Sequence, residues 1–155
     1  IKTREGNGEG IYWPIYHDFV DACAKVLLSK HLDDRLVVQC FDPRALNFMH
    51  EKYPEFHLSY LVDAKAGDFD KYMAKLKFQP EWLSPHHSIV DDVLVAKCRE
   101  KGMKMVPWTV DNPADLQRMI DLKVDAIITN YPDRLLRLTR GYAAPAPGPI
   151  YLRTH

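Results

Sequence analysis

Residues 101–135, KGMKMVPWTVDNPADLQRMIDLKVDAIITNYPDRL, contain the pattern that decides the fold of this chain. The pattern predicts a strand at 104–110, a helix at 113–122, a second strand at 125–130 and a last helix around 133–139. Only a few residues connect these elements. Short connections between alternating strands and helices are typical of consecutive β/α units that build a parallel sheet.

The same alternation extends toward the start of the chain. Further predicted helices lie at residues 15–29, 43–53, 68–77 and 88–101, and further predicted strands at residues 35–41, 56–62 and 80–85. Asp42 and Asn112 are expected to cap the helices that Pro43 and Pro113 begin, and Gly102 is expected to follow the end of the fourth predicted helix. Strands that are each followed by a helix therefore fill one predicted domain, residues 1–140.

Three short segments lie outside this alternation. Residues 3–10 contain three glycines and are predicted to form a loop. Residues 141–155 are rich in proline and are predicted to be a tail or linker. Ile1 and Lys2 are expected to be the end of a further strand that begins before this sequence.

Composition excludes several classes of partner. The chain has 155 residues, 46% of them hydrophobic, and its 21 basic and 21 acidic residues give zero formal charge. Because no cationic stripe is present, a nucleic-acid partner is not expected. The apolar runs are too short to cross a bilayer. Three cysteines without a CxxC pair are expected to be buried free thiols.

Strict β/α alternation leaves two α/β architectures open, a doubly wound open sheet and a (β/α)8 barrel. No GxGxxG or GxxxxGK[ST] sequence follows any predicted strand, so the main nucleotide-binding signals are missing. Periodicity alone does not decide between the two architectures.

The order of motifs along the chain resembles a known family. IKT at 1–3, VVQCFDP at 37–43, LSP at 83–85, KGMKMVPWTVD at 101–111 and DAIITNYPD at 125–133 occur in this order. Together they resemble the C-terminal half of a glycerophosphodiester phosphodiesterase over roughly residues 1–138. The resemblance implies a partial TIM (β/α)8-type barrel that runs from the end of strand 3 through strand 8.

The resemblance also implies an activity and a cofactor. The family hydrolyses glycerophosphodiesters to glycerol 3-phosphate and an alcohol with a divalent cation, magnesium or calcium. The metal-binding glutamate of the family would stand immediately before Ile1, and the motifs with the catalytic histidines do not occur in this sequence. The main metal ligands are therefore expected outside this sequence, no catalytic residue is assigned within it, and the chain alone is expected to be inactive.

Three residues are predicted to bind substrate. The match of Lys2 to the family motif implies that its ammonium lies at the barrel mouth and neutralises a phosphate oxygen. Trp108 ends a predicted strand and is expected to contact the glycerol or alcohol group. Phe41 ends another strand and is a weaker candidate for the same role. A solvated position for Lys2 and core packing for both aromatic residues are the alternatives.

Other polar residues receive structural interpretations. His86 and His87 are adjacent, and side chains of adjacent residues diverge on a strand or helix, so a shared metal ion is not expected. A polar loop at the barrel mouth is the preferred interpretation, with a minor substrate contact as the alternative. Asp42 is expected to be only a helix cap, Asp63 to have no catalytic partner, and Asn130 to be a turn residue.

Two further functions stay open on the sequence. A related barrel phosphodiesterase could act on phosphatidylinositol or sphingomyelin-type lipids. A non-catalytic barrel fragment could instead self-associate, because an incomplete barrel exposes unpaired strand edges and apolar surface.

Overall fold

The computed structural model describes residues 1–3, 5–32, 35–65 and 67–140. Within them, helices alternate with the strands of a parallel sheet. The strands are β1 Val37–Cys40, β2 His57–Val62, β3 Trp82–Pro85 and β4 Lys104–Met105. The α-helices are α1 Tyr16–Leu28, α2 Pro43–Lys52, α3 Phe69–Met73, α4 Asp92–Glu100, α5 Pro113–Asp121 and α6 Pro132–Arg140.

The strands pair in chain order, β1-β2-β3-β4, and every pair is parallel. Each strand is followed by a helix, so the carboxyl ends of all strands meet at one edge of the sheet. The N-terminal amino group of Ile1 donates a hydrogen bond to the carbonyl of Gln39 on β1. The start of the chain therefore lies along the outer edge of β1, where the sequence predicts the end of another strand.

The predicted helix boundaries that depend on specific side chains are confirmed. Asp42 is the N-cap of α2 and its carboxylate accepts the backbone N–H of Arg44 at 2.9 Å. Asn112 caps α5 in the same way, through the N–H of Ala114. Gly102 follows α4 with a φ of 68°, a left-handed conformation that a glycine adopts without steric cost.

The last two predicted strands are less regular than expected. The regular strand covers only Lys104–Met105, although Val106 and Trp108 still donate backbone hydrogen bonds to Leu83 and Pro85. Pro107 has no N–H, so it cannot donate to residues 125–130 on the other side of this segment. Residues 125–130 are not a regular strand, although Asp125 and Ile128 donate backbone hydrogen bonds to residues 105 and 107. The Asp125 carboxylate accepts a hydrogen bond from the backbone N–H of Met105 at 2.7 Å. In a regular strand pair, a backbone carbonyl would accept this bond.

Two predicted helices are shorter than expected. The helix predicted at 88–101 begins only at Asp92, because Asp91 caps it through the N–H of Leu94 at 2.8 Å. The preceding residues, His87–Ile89, form a separate 3-10 turn. The helix predicted at 68–77 ends at Met73.

Alternation along the strands separates two faces of the sheet. Side chains on one face pack against the helices and form the hydrophobic core. This core includes Val38, Cys40, Leu58, Tyr60, Val62, Leu83 and Met105 from the strands, and Leu46, Met49, Leu94, Leu116 and Met119 from the helices. The opposite face, which we call the inner face, carries Gln39, Ser59 and Ser84. Two of the three free cysteines, Cys40 and Cys98, are buried as predicted, and Cys23 is half-buried.

The predicted tail at 141–155 lies outside the described residues. Among the helices of the described part, none is long and apolar enough to cross a membrane.

Candidate functional site

The carboxyl edge of the sheet brings together three ring side chains of the inner face. Phe41, His86 and Trp108 follow or extend the strands β1, β3 and β4. Because parallel strands end at the same edge, these residues surround one end of the sheet. In α/β proteins with parallel sheets this edge is where ligands bind.

Phe41 and Trp108 contact each other there. Their rings are perpendicular, with centroids 5.3 Å apart. β1 and β4 are the outer strands of the sheet, so the two side chains reach toward each other across β2 and β3. The indole N–H of Trp108 donates to the carbonyl of Ser84 at 2.8 Å, which fixes the indole over β3. Phe41 remains 39% exposed, so one side of this aromatic pair is open to a ligand.

A buried polar network also lies on the inner face. The hydroxyls of Ser59 and Ser84 are 2.6 Å apart, and the side-chain amide of Gln39 donates to Ser84 at 3.0 Å. Both serines are fully buried. Sequence analysis did not select these residues, although small polar residues at alternating positions of predicted strands were a visible signal. Their hydrogen bonds satisfy one another and hold three neighbouring strands in a single arrangement.

The two adjacent histidines lie closer together than the sequence predicts. The rings of His86 and His87 are stacked with centroids 4.7 Å apart, so the expected divergence is wrong. The 3-10 turn that starts after His86 bends the backbone and brings the rings side by side. His86 also meets Trp108 edge to face at 5.2 Å. His86 therefore belongs to the aromatic wall of the site.

His87 points instead toward α5. Its Nδ1 lies 3.7 Å from the carboxylate of Asp115, and Arg118 donates to its carbonyl at 2.9 Å and to the carbonyl of Val90 at 2.8 Å. Burial lowers the pKa of His87, and the nearby Asp115 carboxylate only partly opposes this effect. The hydrogen bonds from Arg118 on α5 hold the backbone of residues 87–90 in place.

Asp42 does more than cap its helix. Its carboxylate binds the guanidinium of Arg44 at 2.8 Å and accepts the hydroxyl of Thr3 at 2.8 Å, while Arg44 also binds Glu9 at 3.0 Å. Burial would raise the pKa of Asp42, but the hydrogen bonds from Arg44 and Thr3 outweigh it and lower that pKa. With its carboxylate held this way, Asp42 ties the loop at the start of the chain to α2.

Asp111 organises the other side of the edge and was missed by sequence analysis. Its carboxylate accepts hydrogen bonds from the backbone and side-chain N–H groups of Asn130, both at 2.8 Å, and from Thr129 at 3.1 Å. The bonds from Asn130 lower the pKa of Asp111. Asn130 is thus a turn residue, as predicted. The sequence NYPD indicated a turn at Asn130, but it did not indicate that Asp111 accepts the hydrogen bonds from this residue.

Lys2, the third predicted substrate-binding residue, and Asp63, for which no catalytic partner was expected, stand apart from this aromatic wall. Lys2 is exposed and borders a small cavity with Trp13 and Phe19. Asp63 is exposed, and its carboxylate accepts the backbone N–H of Lys65 at 3.1 Å. The structure therefore brings Phe41 and Trp108 together, whereas the described contacts do not link Lys2 to them.

The described residues do not form a metal site by themselves. No group of three or more His, Cys, Asp or Glu side chains in the described ranges could hold a metal ion. The carboxylates near the edge are already engaged: Asp42 with Arg44, and Asp111 with Asn130. A cation at this site would need ligands other than these side chains.

A parallel sheet with helices on one face and polar side chains at its carboxyl edge defines part of a TIM-type α/β barrel. Residues 10–134 match the Glycerophosphoryl diester phosphodiesterase family. The chain belongs to this family, and its predicted fold, a partial (β/α)8 barrel, is confirmed.

Individual relatives agree with this assignment. A glycerophosphodiester phosphodiesterase from Caldanaerobacter subterraneus is 27% identical over 126 residues, which cover 81% of this chain and 51% of the relative. A candidate glycerophosphoryl diester phosphodiesterase of known structure from Silicibacter pomeroyi has a TM-score of 0.71 at 27% identity, covering 79% of this chain and 43% of that protein.

A third comparison concerns the fold alone. An Oleispira antarctica phosphodiesterase, solved in complex with the product sn-glycerol-3-phosphate, has a TM-score of 0.65 at 21% identity and covers 77% of this chain and 48% of that protein. The chain thus spans about half the length of the relatives that it matches.

Proposed function

We propose that the full-length protein containing this chain hydrolyses glycerophosphodiesters to glycerol 3-phosphate and an alcohol. The family match over residues 10–134 is the observation that carries this proposal. The 27% identical relative from Caldanaerobacter subterraneus, a glycerophosphodiester phosphodiesterase, supports the same substrate class. Within this reaction the chain contributes substrate recognition at the carboxyl edge of the sheet.

The aromatic wall gives this role a physical basis. Phe41 and Trp108 present apolar ring surface next to open solvent, which suits the carbon atoms of a glycerol or alcohol group. Because the two rings contact each other and Ser84 also holds the indole of Trp108, a ligand would lose little free energy in ordering them. Lys2 would supply a cationic group for the phosphate at the neighbouring strand end.

The cation is proposed to be magnesium or calcium, held mainly by residues outside this sequence. When bound, it would supply Lewis-acid stabilisation of the phosphate. The resemblance assigns the metal-binding glutamate and the catalytic histidines to motifs that this sequence does not contain. We therefore propose that the 155-residue chain alone does not turn over substrate.

Release of glycerol 3-phosphate from glycerophosphocholine, measured with and without a chelator, tests the proposal. The full-length protein should release glycerol 3-phosphate in a chelator-sensitive reaction, and the chain alone should not. If the full-length protein releases no glycerol 3-phosphate, the proposed activity is refuted. If release continues in the presence of the chelator, the proposed dependence on a divalent cation is refuted. Turnover of phosphatidylinositol or sphingomyelin instead would favour the related barrel phosphodiesterases.

One observation favours self-association of the isolated chain as a second function. Val26 and Leu28 on α1 are 58% and 41% exposed, and Val26 borders an apolar cavity with Ile1 and Leu27. Apolar surface of this kind is typical of an interface with another protein segment or another copy of the chain. The oligomeric state of the chain in solution tests this alternative.

A further inference from the structure

We infer that His86 is a substrate-binding residue, and that its Nε2–H donates a hydrogen bond to an acceptor oxygen of the glycerol 3-phosphate part of the substrate. The inference rests on the proposed function and adds a residue to the proposed site. It is carried by the position of His86, by its contacts and by the tautomer that its neighbour imposes.

The position follows from strand alternation. His86 is two residues after Ser84 along β3 and therefore shares the inner face with it. Its backbone pairs with Trp108, and its ring meets the indole edge to face at 5.2 Å. Since Phe41 contacts the same indole at 5.3 Å, the three rings form one wall at the carboxyl edge. A ligand that touches Trp108 there lies within reach of the imidazole.

The tautomer follows from the bonds to Ser88. The backbone N–H of Ser88 donates to Nδ1 of His86 at 3.2 Å, and the Ser88 hydroxyl lies 2.8 Å from the same atom. A backbone N–H can only donate, so Nδ1 is an acceptor and carries no proton. The proton of the neutral ring therefore resides on Nε2. Among the described residues, Nε2 of His86 has no hydrogen-bond partner.

The chemistry of this edge selects the type of ligand group. A ring N–H within an aromatic wall is a donor of fixed direction, and it pairs with a phosphoryl oxygen or a hydroxyl oxygen. Glycerol 3-phosphate offers both groups. The free donor and the adjacent ring surface of Trp108 match the polar and carbon parts of such a ligand.

Two conservative substitutions separate ligand binding from the structural role of His86. In His86→Asn, the amide oxygen takes the place of Nδ1 and still accepts the Ser88 N–H, but no group occupies the place of Nε2. In His86→Gln, the amide N–H reaches the place of Nε2. His50→Gln is the control, because the His50 ring stacks on Phe78 at 4.0 Å and is outside the wall.

The measurement is the steady-state kinetics of glycerol 3-phosphate release by the full-length protein. We expect His86→Asn to raise KM about tenfold with glycerophosphocholine and glycerophosphoethanolamine alike, and to weaken inhibition by added glycerol 3-phosphate equally. His86→Gln should recover most of this loss, and His50→Gln should not change KM. If inorganic phosphate inhibits His86→Asn more weakly than the unsubstituted protein, the acceptor of the Nε2–H bond is a phosphoryl oxygen. If inhibition by inorganic phosphate is unchanged, the acceptor is a glycerol hydroxyl.

Three results would overturn the inference. An unchanged KM in His86→Asn would show that Nε2 does not contact substrate. Equal losses in His86→Asn and His86→Gln would show that a donor at the position of Nε2 does not restore substrate binding. A rise in KM with only one of the two substrates would show that His86 contacts the alcohol group of the substrate and not its glycerol 3-phosphate part. Absence of activity in the unsubstituted protein would instead refute the proposed function itself.

Discussion

Phe41 and Trp108 come from the two outer strands of the sheet, yet their rings meet edge to face with centroids 5.3 Å apart. The contact spans the width of the inner face, and the indole N–H of Trp108 also donates to the carbonyl of Ser84 on β3. One aromatic contact therefore both closes the described part of the barrel and forms the wall of the proposed site. The contact should therefore couple stability to the proposed substrate binding.

This coupling predicts a measurable interaction energy. Phe41→Leu and Trp108→Leu, made singly and together, should show a coupling of about 1 kcal/mol in the free energy of unfolding, the range for edge-to-face pairs. Urea unfolding of the four proteins gives the cycle. Phe78→Leu in place of Phe41→Leu is the control, since Phe78 stacks on His50 instead. Additive effects of Phe41→Leu and Trp108→Leu would show that the contact does not form in solution.

The cap of α2 predicts an acid-dependent loss of stability. Asp42→Ala removes the cap and the partner of Arg44, so the free energy of unfolding at neutral pH should fall by about 1–2 kcal/mol. Asp42→Asn should lose less, because an asparagine oxygen still caps the helix.

The pKa of Asp42 fixes the direction of the pH effect. Its pKa is lower in the folded than in the unfolded chain, because the bonds from Arg44 and Thr3 outweigh burial. Its contribution to stability is then present above the ordinary aspartate pKa and is lost as pH falls through the lowered value. The stability difference between the natural protein and Asp42→Asn should therefore shrink below about pH 4. A difference that stays constant down to pH 2 would contradict the ion pair.

His87 predicts a second pH effect, in a different window. Burial lowers its pKa, so the unfolded chain binds a proton more readily than the folded chain does. Stability should therefore decrease as pH falls below about 6.5, the ordinary histidine value. Chemical unfolding at pH 7.5 and 5.5 should show a smaller decrease in His87→Gln than in the natural protein. An equal decrease in both would mean that His87 is as exposed to solvent as in the unfolded chain.

The apolar surface on α1 predicts the behaviour of the isolated chain. Val26→Lys should raise the fraction of monomer in size-exclusion chromatography, because it places a charge on the exposed apolar surface near Ile1 and Leu27. Val93→Lys is the matched control, since Val93 on α4 is similarly exposed at 63% but lies elsewhere. If the natural chain is monomeric at high concentration, this surface does not mediate self-association.

Local signals in the sequence predicted most of the fold. Asp42, Asn112 and Gly102 have the predicted roles at helix ends, because capping depends on residues that are neighbours in sequence. One error came from a tertiary contact and another from a local cap that was not recognised. The Asp125 carboxylate accepts the N–H of Met105, 20 residues away, whereas Asp91 delays the start of α4 by capping Leu94, three residues away. Periodicity carries no information about either bond.

The site was predicted less completely than the fold. Phe41 and Trp108 were selected because they end strands, and the structure places them in contact. Whether they bind substrate stays a prediction, as it does for Lys2. The roles of Ser84 and Asp111 were missed, because their partners lie 25 and 19 residues away in the chain. Hydrogen bonds between residues so far apart in sequence can be identified only once the positions of the strands in the sheet are known.

A crystal structure of the full-length protein with sn-glycerol 3-phosphate tests the central claim most directly. The account predicts that the ligand lies at the carboxyl edge, with carbon atoms in van der Waals contact with Trp108 and an oxygen atom within hydrogen-bond distance of Nε2 of His86. A ligand bound at this edge without contact to Phe41, His86 or Trp108, or bound elsewhere in the barrel, would contradict the assigned site.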